Sequence, residues 1–115
     1  MTEQLFNEIT TWQKETFGQA TPISKMNHLK QEVDELLVEL ENWYKTGFPK
    51  SETQLQDLLI EKEFADCFFL LFGAAAAHGM SYQYIMDSIQ LKFEINKKRK
   101  FGKPDDNGVV NHIED

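Results

Sequence analysis

Apolar residues recur at spacings of three and four along most of the chain, and no stretch sustains a two-residue alternation. The pattern predicts a first helix over about residues 3–17, with Thr2 as its cap and Gly18 as its stop. Leu5, Phe6, Ile9, Trp12 and Thr16 mark its face. Ser24 caps a second helix reaching about residue 45, whose stripe is Leu29, Val33, Leu36, Leu37, Leu40, Trp43 and Tyr44. A third helix covers about residues 52–78 and stops at Gly79; Ser81 caps a fourth that ends near Phe101 and Gly102. The loops hold Pro22 in one case and Gly47 with Pro49 in another. Long helices joined by short loops predict an all-α fold, an antiparallel four-helix bundle. One helical domain is expected over residues 1–102, followed by an irregular tail over 103–115 with a Pro-Asp-Asp-Asn-Gly turn.

The polar positions interrupt this pattern in informative places. On the second helix His28, Glu32, Glu35 and Glu39 line one flank of the apolar stripe, whereas Asp34 and Glu41 point away from it. Acids beside a stripe are ordinary by themselves. The third helix is different, because Phe64, Phe68, Phe69, Leu70, Leu71 and Phe72 surround it, which predicts a central, buried helix. Glu63 and Asp66 sit at the head of that segment on one face. Burying ionised carboxylates is costly unless a cation or a basic side chain meets them. Glu32-x-x-Glu35 and Glu63-x-x-Asp66 each project two carboxylates from one turn, and antiparallel packing can set the pairs face to face. An all-oxygen set suits Mg²⁺ or Mn²⁺. A di-iron bundle would want Glu-x-x-His, which the chain lacks.

The fourth helix begins an apolar stripe at Ile85 and Ile89 and continues it with Lys92, Asn96 and Arg99. Lys97, Lys98 and Lys100 suit a helix C-terminus. Lys92 and Asn96 lie earlier, on the expected inward face, and fit phosphate oxygens. Carboxylates, a divalent cation and inward cations together point to a phosphoanhydride substrate.

Composition narrows the field further. With 19 acidic and 12 basic residues the net charge is −7, which argues against binding a nucleic acid polymer. The apolar run over residues 67–77 falls short of the roughly 18 residues of a membrane span. The lone Cys67 excludes an internal disulfide and fits a reducing compartment, and no secretory signal is expected at the N-terminus. A Ser-His-Asp set and a Gly-rich phosphate loop are both absent.

The order Glu32-x-x-Glu35, Glu63-x-x-Asp66, then Lys92, Asn96 and Arg99 resembles the MazG-like all-α nucleoside triphosphate pyrophosphohydrolases. Trp12, Thr16-Phe17-Gly18, Pro22, His28-Leu29, Ala65-Asp66, Gly102, Gly108 and His112 resemble the dATP/dGTP diphosphohydrolase, or MazZ-like, branch. The resemblance implies cleavage of a nucleoside triphosphate, dATP or dGTP in that branch, to the monophosphate and pyrophosphate. It implies Mg²⁺, replaceable by Mn²⁺, held by Glu32, Glu35, Glu63 and Asp66 as the catalytic acids, and phosphate contacts from Lys92, Asn96 and Arg99. Trp12, Phe17 and His28 are candidates for the base. It also implies a homo-oligomer, dimer or tetramer, working in the cytoplasm, or in a host's cytoplasm if phage-encoded. Two alternatives stand beside it: the same chemistry on a pyrimidine or modified nucleotide, and a noncatalytic helical module that binds partners through an acidic surface.

Overall fold

The computed structural model describes the backbone of residues 1–45 and 53–113, with side chains at 1–45 and 58–113. The expected loop with Gly47 and Pro49 lies outside the described residues. Four helices dominate: α1 (Glu3–Thr16), α2 (Pro22–Lys45), α3 (Thr53–Ala77) and α4 (Tyr82–Lys98). Two short strands follow, β1 (Lys100–Phe101) and β2 (His112–Ile113). Among the described residues no helix is long and apolar enough to cross a membrane. The chain forms two compact units, Met1–Tyr82 and Gln83–Asp115.

In the first unit, Thr2 caps α1 by accepting from the Leu5 amide at 3.1 Å. The start of α2 differs from the expectation. Pro22 is its first residue, and Thr21 with Ser24 forms the cap. Thr21 Oγ1 accepts from the Ser24 amide at 3.0 Å, while the Thr21 amide donates to Ser24 Oγ at 2.8 Å. Proline suits that first position, where its missing N–H and fixed φ cost nothing. Gly79 ends the turn after α3 at φ +108, a conformation that favours glycine.

α3 is the shared wall of this unit. Pro22 and Met26, at the start of α2, lie with Leu71, Ala74, Ala75 and His78 near the end of α3, so these helices run antiparallel. α1 runs parallel to α3: Met1 lies by Ala65 and Phe68, and Thr10 and Gln13 by Ala76 and Ala77. Phe6 is 3% exposed and meets Phe72 edge-on at 6.2 Å and Tyr82 at 5.6 Å. The Tyr82 hydroxyl donates to the Met1 carbonyl at 2.8 Å.

Several expected core positions are open to solvent. Trp12, Val33, Leu37 and Tyr44 are exposed, and the inward face of α1 is Phe6 and Gln13. Phe64, Phe68, Phe69 and Leu71 are also exposed, so α3 is apolar all round without being buried all round. Two neighbours can cover only part of a helix's circumference.

In the second unit, Ile85 is buried, but Ile89 is exposed and Lys92 with it, so the expected inward stripe is buried only at its start. α4 stops at Lys98, three residues before Phe101, because Lys100 and Phe101 pair with Ile113 and His112 in an antiparallel ladder. The tail expected to be irregular is thus partly ordered. Asp105 Oδ1 accepts from the Asn107 and Val109 amides, and Gly108 turns the chain at φ +79.

Candidate metal centre

Helix packing sets the acids. Glu32 and Glu35 project from one turn of α2, just before the buried Leu36. Glu63 projects from α3 one turn after the buried Ile60. With these helices antiparallel, Glu32, Glu35 and Glu63 each bring one carboxylate oxygen within 4.8 Å of the others. Opposite ligands of an octahedral Mg²⁺ at 2.1 Å stand about 4.2 Å apart, so small side-chain adjustments bring the three to such an ion.

Glu63 feels the group most. Burial pushes its carboxyl pKa above the ordinary 4.5, and the charges of Glu32, Glu39 and Asp66 push the same way. A hydrogen bond to the Glu32 side chain also favours the protonated form. Its second oxygen, Oε2, is buried and has no hydrogen-bond partner. Such an orphaned acceptor is costly in a finished core. A cation answers both faults at once, because it neutralises the repulsion and occupies the orphaned oxygen. The residues therefore fit a hard divalent ion. Cys67, half-buried, has its thiol pushed up by burial and then by Glu32, Glu63 and Asp66; it is a packing residue.

The remaining expected residues fall as follows. Asp66 is exposed and stands outside the group of three, although its charge reaches Glu63. His28 is exposed and its Nε2 lies 3.2 Å from Glu32 Oε1, one turn along α2. Trp12 and Phe17 are exposed and meet edge to face at 5.5 Å. Lys92 and Arg99 are exposed and Asn96 is half-buried; Arg99 lies just past α4, its amide donating to the Asn96 carbonyl.

Two residues escaped the sequence reading, and a third, Glu39, was placed on the acidic flank without a role. Glu39 bears on Glu63, and its place on the flank shared by Glu32 and Glu35 was the available signal. Gln13 and Lys25 are both buried, at 6% and 9% exposure. Spacing puts Gln13 seven residues after Phe6 and Lys25 four before Leu29, on the inward faces, but their polar side chains read as solvated.

No curated protein matches the chain. The family described as dATP/dGTP pyrophosphohydrolase matches residues 56–115, a span that includes Glu63, Asp66, Lys92, Asn96 and Arg99. Among solved structures, the cyanophage S-2L MazG-like pyrophosphohydrolase, bound to dGDP and three catalytic Mn²⁺ ions per active site, matches at 23% identity. The match covers 99% of each chain with a TM-score of 0.69, and shows the same all-α fold. The chain belongs to the dATP/dGTP pyrophosphohydrolase family and is a nucleotide pyrophosphohydrolase.

Proposed function

We propose that this enzyme hydrolyses deoxypurine triphosphates, dATP and dGTP, to the monophosphate and pyrophosphate with Mg²⁺, for which Mn²⁺ substitutes. One observation carries the reading: oxygens of Glu32, Glu35 and Glu63 lie within 4.8 Å of one another, and Glu63 holds a buried oxygen without a hydrogen-bond partner. The family supports the substrate class, and the cyanophage protein of the same fold binds dGDP and Mn²⁺.

Glu32, Glu35 and Glu63 would hold the ion, with Asp66, one turn beyond Glu63, as a fourth acid. A divalent cation supplies positive charge against the phosphates and makes water more acidic. One glutamate of the set orients the attacking water and takes its proton. The water oxygen bonds to phosphorus as the bridge between the α and β phosphates breaks, and pyrophosphate leaves. Lys92, Asn96 and Arg99 are assigned to phosphate oxygens, where charge grows on the leaving group. Phe17, backed by the Trp12 ring, is assigned to the base, and His28 holds Glu32 in place. The exposed aromatics of α3 are the surface a second copy would cover, as a dimer or tetramer. The free Cys67 fits a reducing cytoplasm.

Steady-state hydrolysis of dATP, dGTP, dCTP and dTTP with Mg²⁺, with Mn²⁺ and with a chelator tests the reading. Purine turnover that needs the metal is expected. A preference for the pyrimidines would move the substrate class, and turnover unchanged by the chelator would remove the metal.

A further inference from the structure

The loop between β1 and β2 holds chemistry that the metal centre does not use. Of the chain's six asparagines, Asn107 alone is followed by glycine. Both residues are exposed, and a Cβ built at Gly108 would meet nothing within 4 Å. In such a pair the backbone nitrogen can reach the preceding side-chain amide, because glycine puts no Cβ in its way.

Asp105 closes the loop over that pair. Its Oδ1 accepts from the Asn107 amide at 2.8 Å and from the Val109 amide at 2.9 Å. The Gly108 amide donates to the Asp105 carbonyl, and the Asp105 amide to the Val109 carbonyl, each at 2.9 Å. The Gly108 nitrogen is therefore held in place with its proton engaged. All four residues are exposed, so water competes for these bonds and local opening costs little.

We propose that Asn107 is a site of spontaneous deamidation and that Asp105 sets its rate by keeping the turn closed. When the turn opens, the Gly108 nitrogen gives up its proton and bonds to Asn107 Cγ. The Cγ–Nδ2 bond breaks, and Nδ2 leaves with that proton as ammonia. Water then opens the cyclic imide. Attack at Cγ leaves an ordinary aspartate. Attack at the main-chain carbonyl of Asn107 leaves an isoaspartate, whose backbone runs through Cβ and Cγ and is a carbon atom longer. No oxidant or cofactor takes part. Either product adds a negative charge beside Asp105 and Asp106. The longer backbone also carries the Gly108 and Val109 amides away from Asp105. The ladder that this loop connects, Lys100 with Ile113 and Phe101 with His112, then loses its closure. The inference is independent of the nucleotide reading above.

The test ages the full-length wild type, Asp105→Ala and Asp106→Ala at neutral pH, with a synthetic peptide of residues 103–109 as the unrestrained reference. Peptide mapping by mass spectrometry follows conversion at each asparagine, and enzymatic methylation of isoaspartate detects the rearranged product. Asn107 should convert more slowly in the wild type than in the peptide, while the other asparagines stay intact. Asp105→Ala should convert roughly five- to a hundredfold faster than the wild type, the gain in open turn expected when two hydrogen bonds are lost. Asp106→Ala removes the same charge without touching those bonds and should convert at the wild-type rate. Once converted, the protein should exchange the Gly102 amide, which donates to the Asn111 carbonyl at 2.9 Å, faster than fresh protein does. No conversion at Asn107 in Asp105→Ala would remove the site. Equal acceleration by Asp106→Ala, or none by Asp105→Ala, would remove Asp105 as its control. So would a wild type that converts as fast as the peptide, a result that needs no variant to fold.

Discussion

At Glu63, burial and the charges of Glu32, Glu39 and Asp66 all act against ionisation, so the folded chain holds that proton more tightly than the unfolded chain does. A carboxyl raised in this way lends stability that is complete below its ordinary value of 4.5 and is lost as pH rises through the folded value. The metal-free wild type should therefore lose stability relative to Glu63→Gln as pH climbs above 4.5, which melting curves of the two proteins across acid to neutral pH would show. At neutral pH without metal the variant should melt higher, and millimolar Mg²⁺ should raise the melting temperature of the wild type far more than that of the variant. A wild type indifferent to Mg²⁺ would remove the glutamates as its ligands. The spacing Glu32-x-x-Glu35 with Glu63 was legible in the sequence because helical geometry alone puts each acid on its face. Gln13 and Lys25 were not, because their polar side chains read as solvated even though helical spacing sets them on the faces of Phe6 and of Leu36.

The ends of the helices show where local chemistry prevails over pattern. Ser24 was a reasonable cap by residue type, yet Thr21 caps α2, because Pro22 is preset for the first helical turn. Thr21→Ala should cost about 1 kcal/mol in chemical denaturation. A larger penalty is expected at Gly73→Ala, where the new methyl meets the Gln13 amide; overpacking of this kind costs about 1–3 kcal/mol. If Gly73→Ala proved neutral, the α1–α3 seam would be looser than the Gln13–Phe69 hydrogen bond implies. α4 ended earlier than its sequence suggested, since pairing of Lys100–Phe101 with His112–Ile113 depends on partners eleven or more residues away. The phosphate assignment on α4 has its own test. Lys92→Met should reduce kcat/KM by roughly ten- to a hundredfold, as loss of a charge-assisted contact does, while Lys98→Met, with the same change in charge, should cost little at physiological salt. Equal effects would leave α4 supplying only a diffuse positive field.

For the whole molecule, a chain with a net charge of −7 acts on a substrate that is itself a polyanion. On the proposed reading, repulsion between the two makes a cation at the glutamates a condition for binding as well as for chemistry. The all-α class and the four helices followed from periodicity, but the extent of burial did not: Phe64, Phe68 and Leu71 remain exposed in a single chain. Sedimentation should accordingly find a dimer or tetramer, and a monomer at micromolar concentration would leave that apolar surface without an explanation. The most direct test of the central claim is phosphorus NMR of the products formed from dGTP by the wild type and by Glu63→Gln, each with Mg²⁺ and with a chelator. Deoxyguanosine monophosphate and pyrophosphate should appear with the wild type in the presence of Mg²⁺, and be lost with the chelator or the substitution. The diphosphate with inorganic phosphate, or equal turnover by Glu63→Gln, would contradict it.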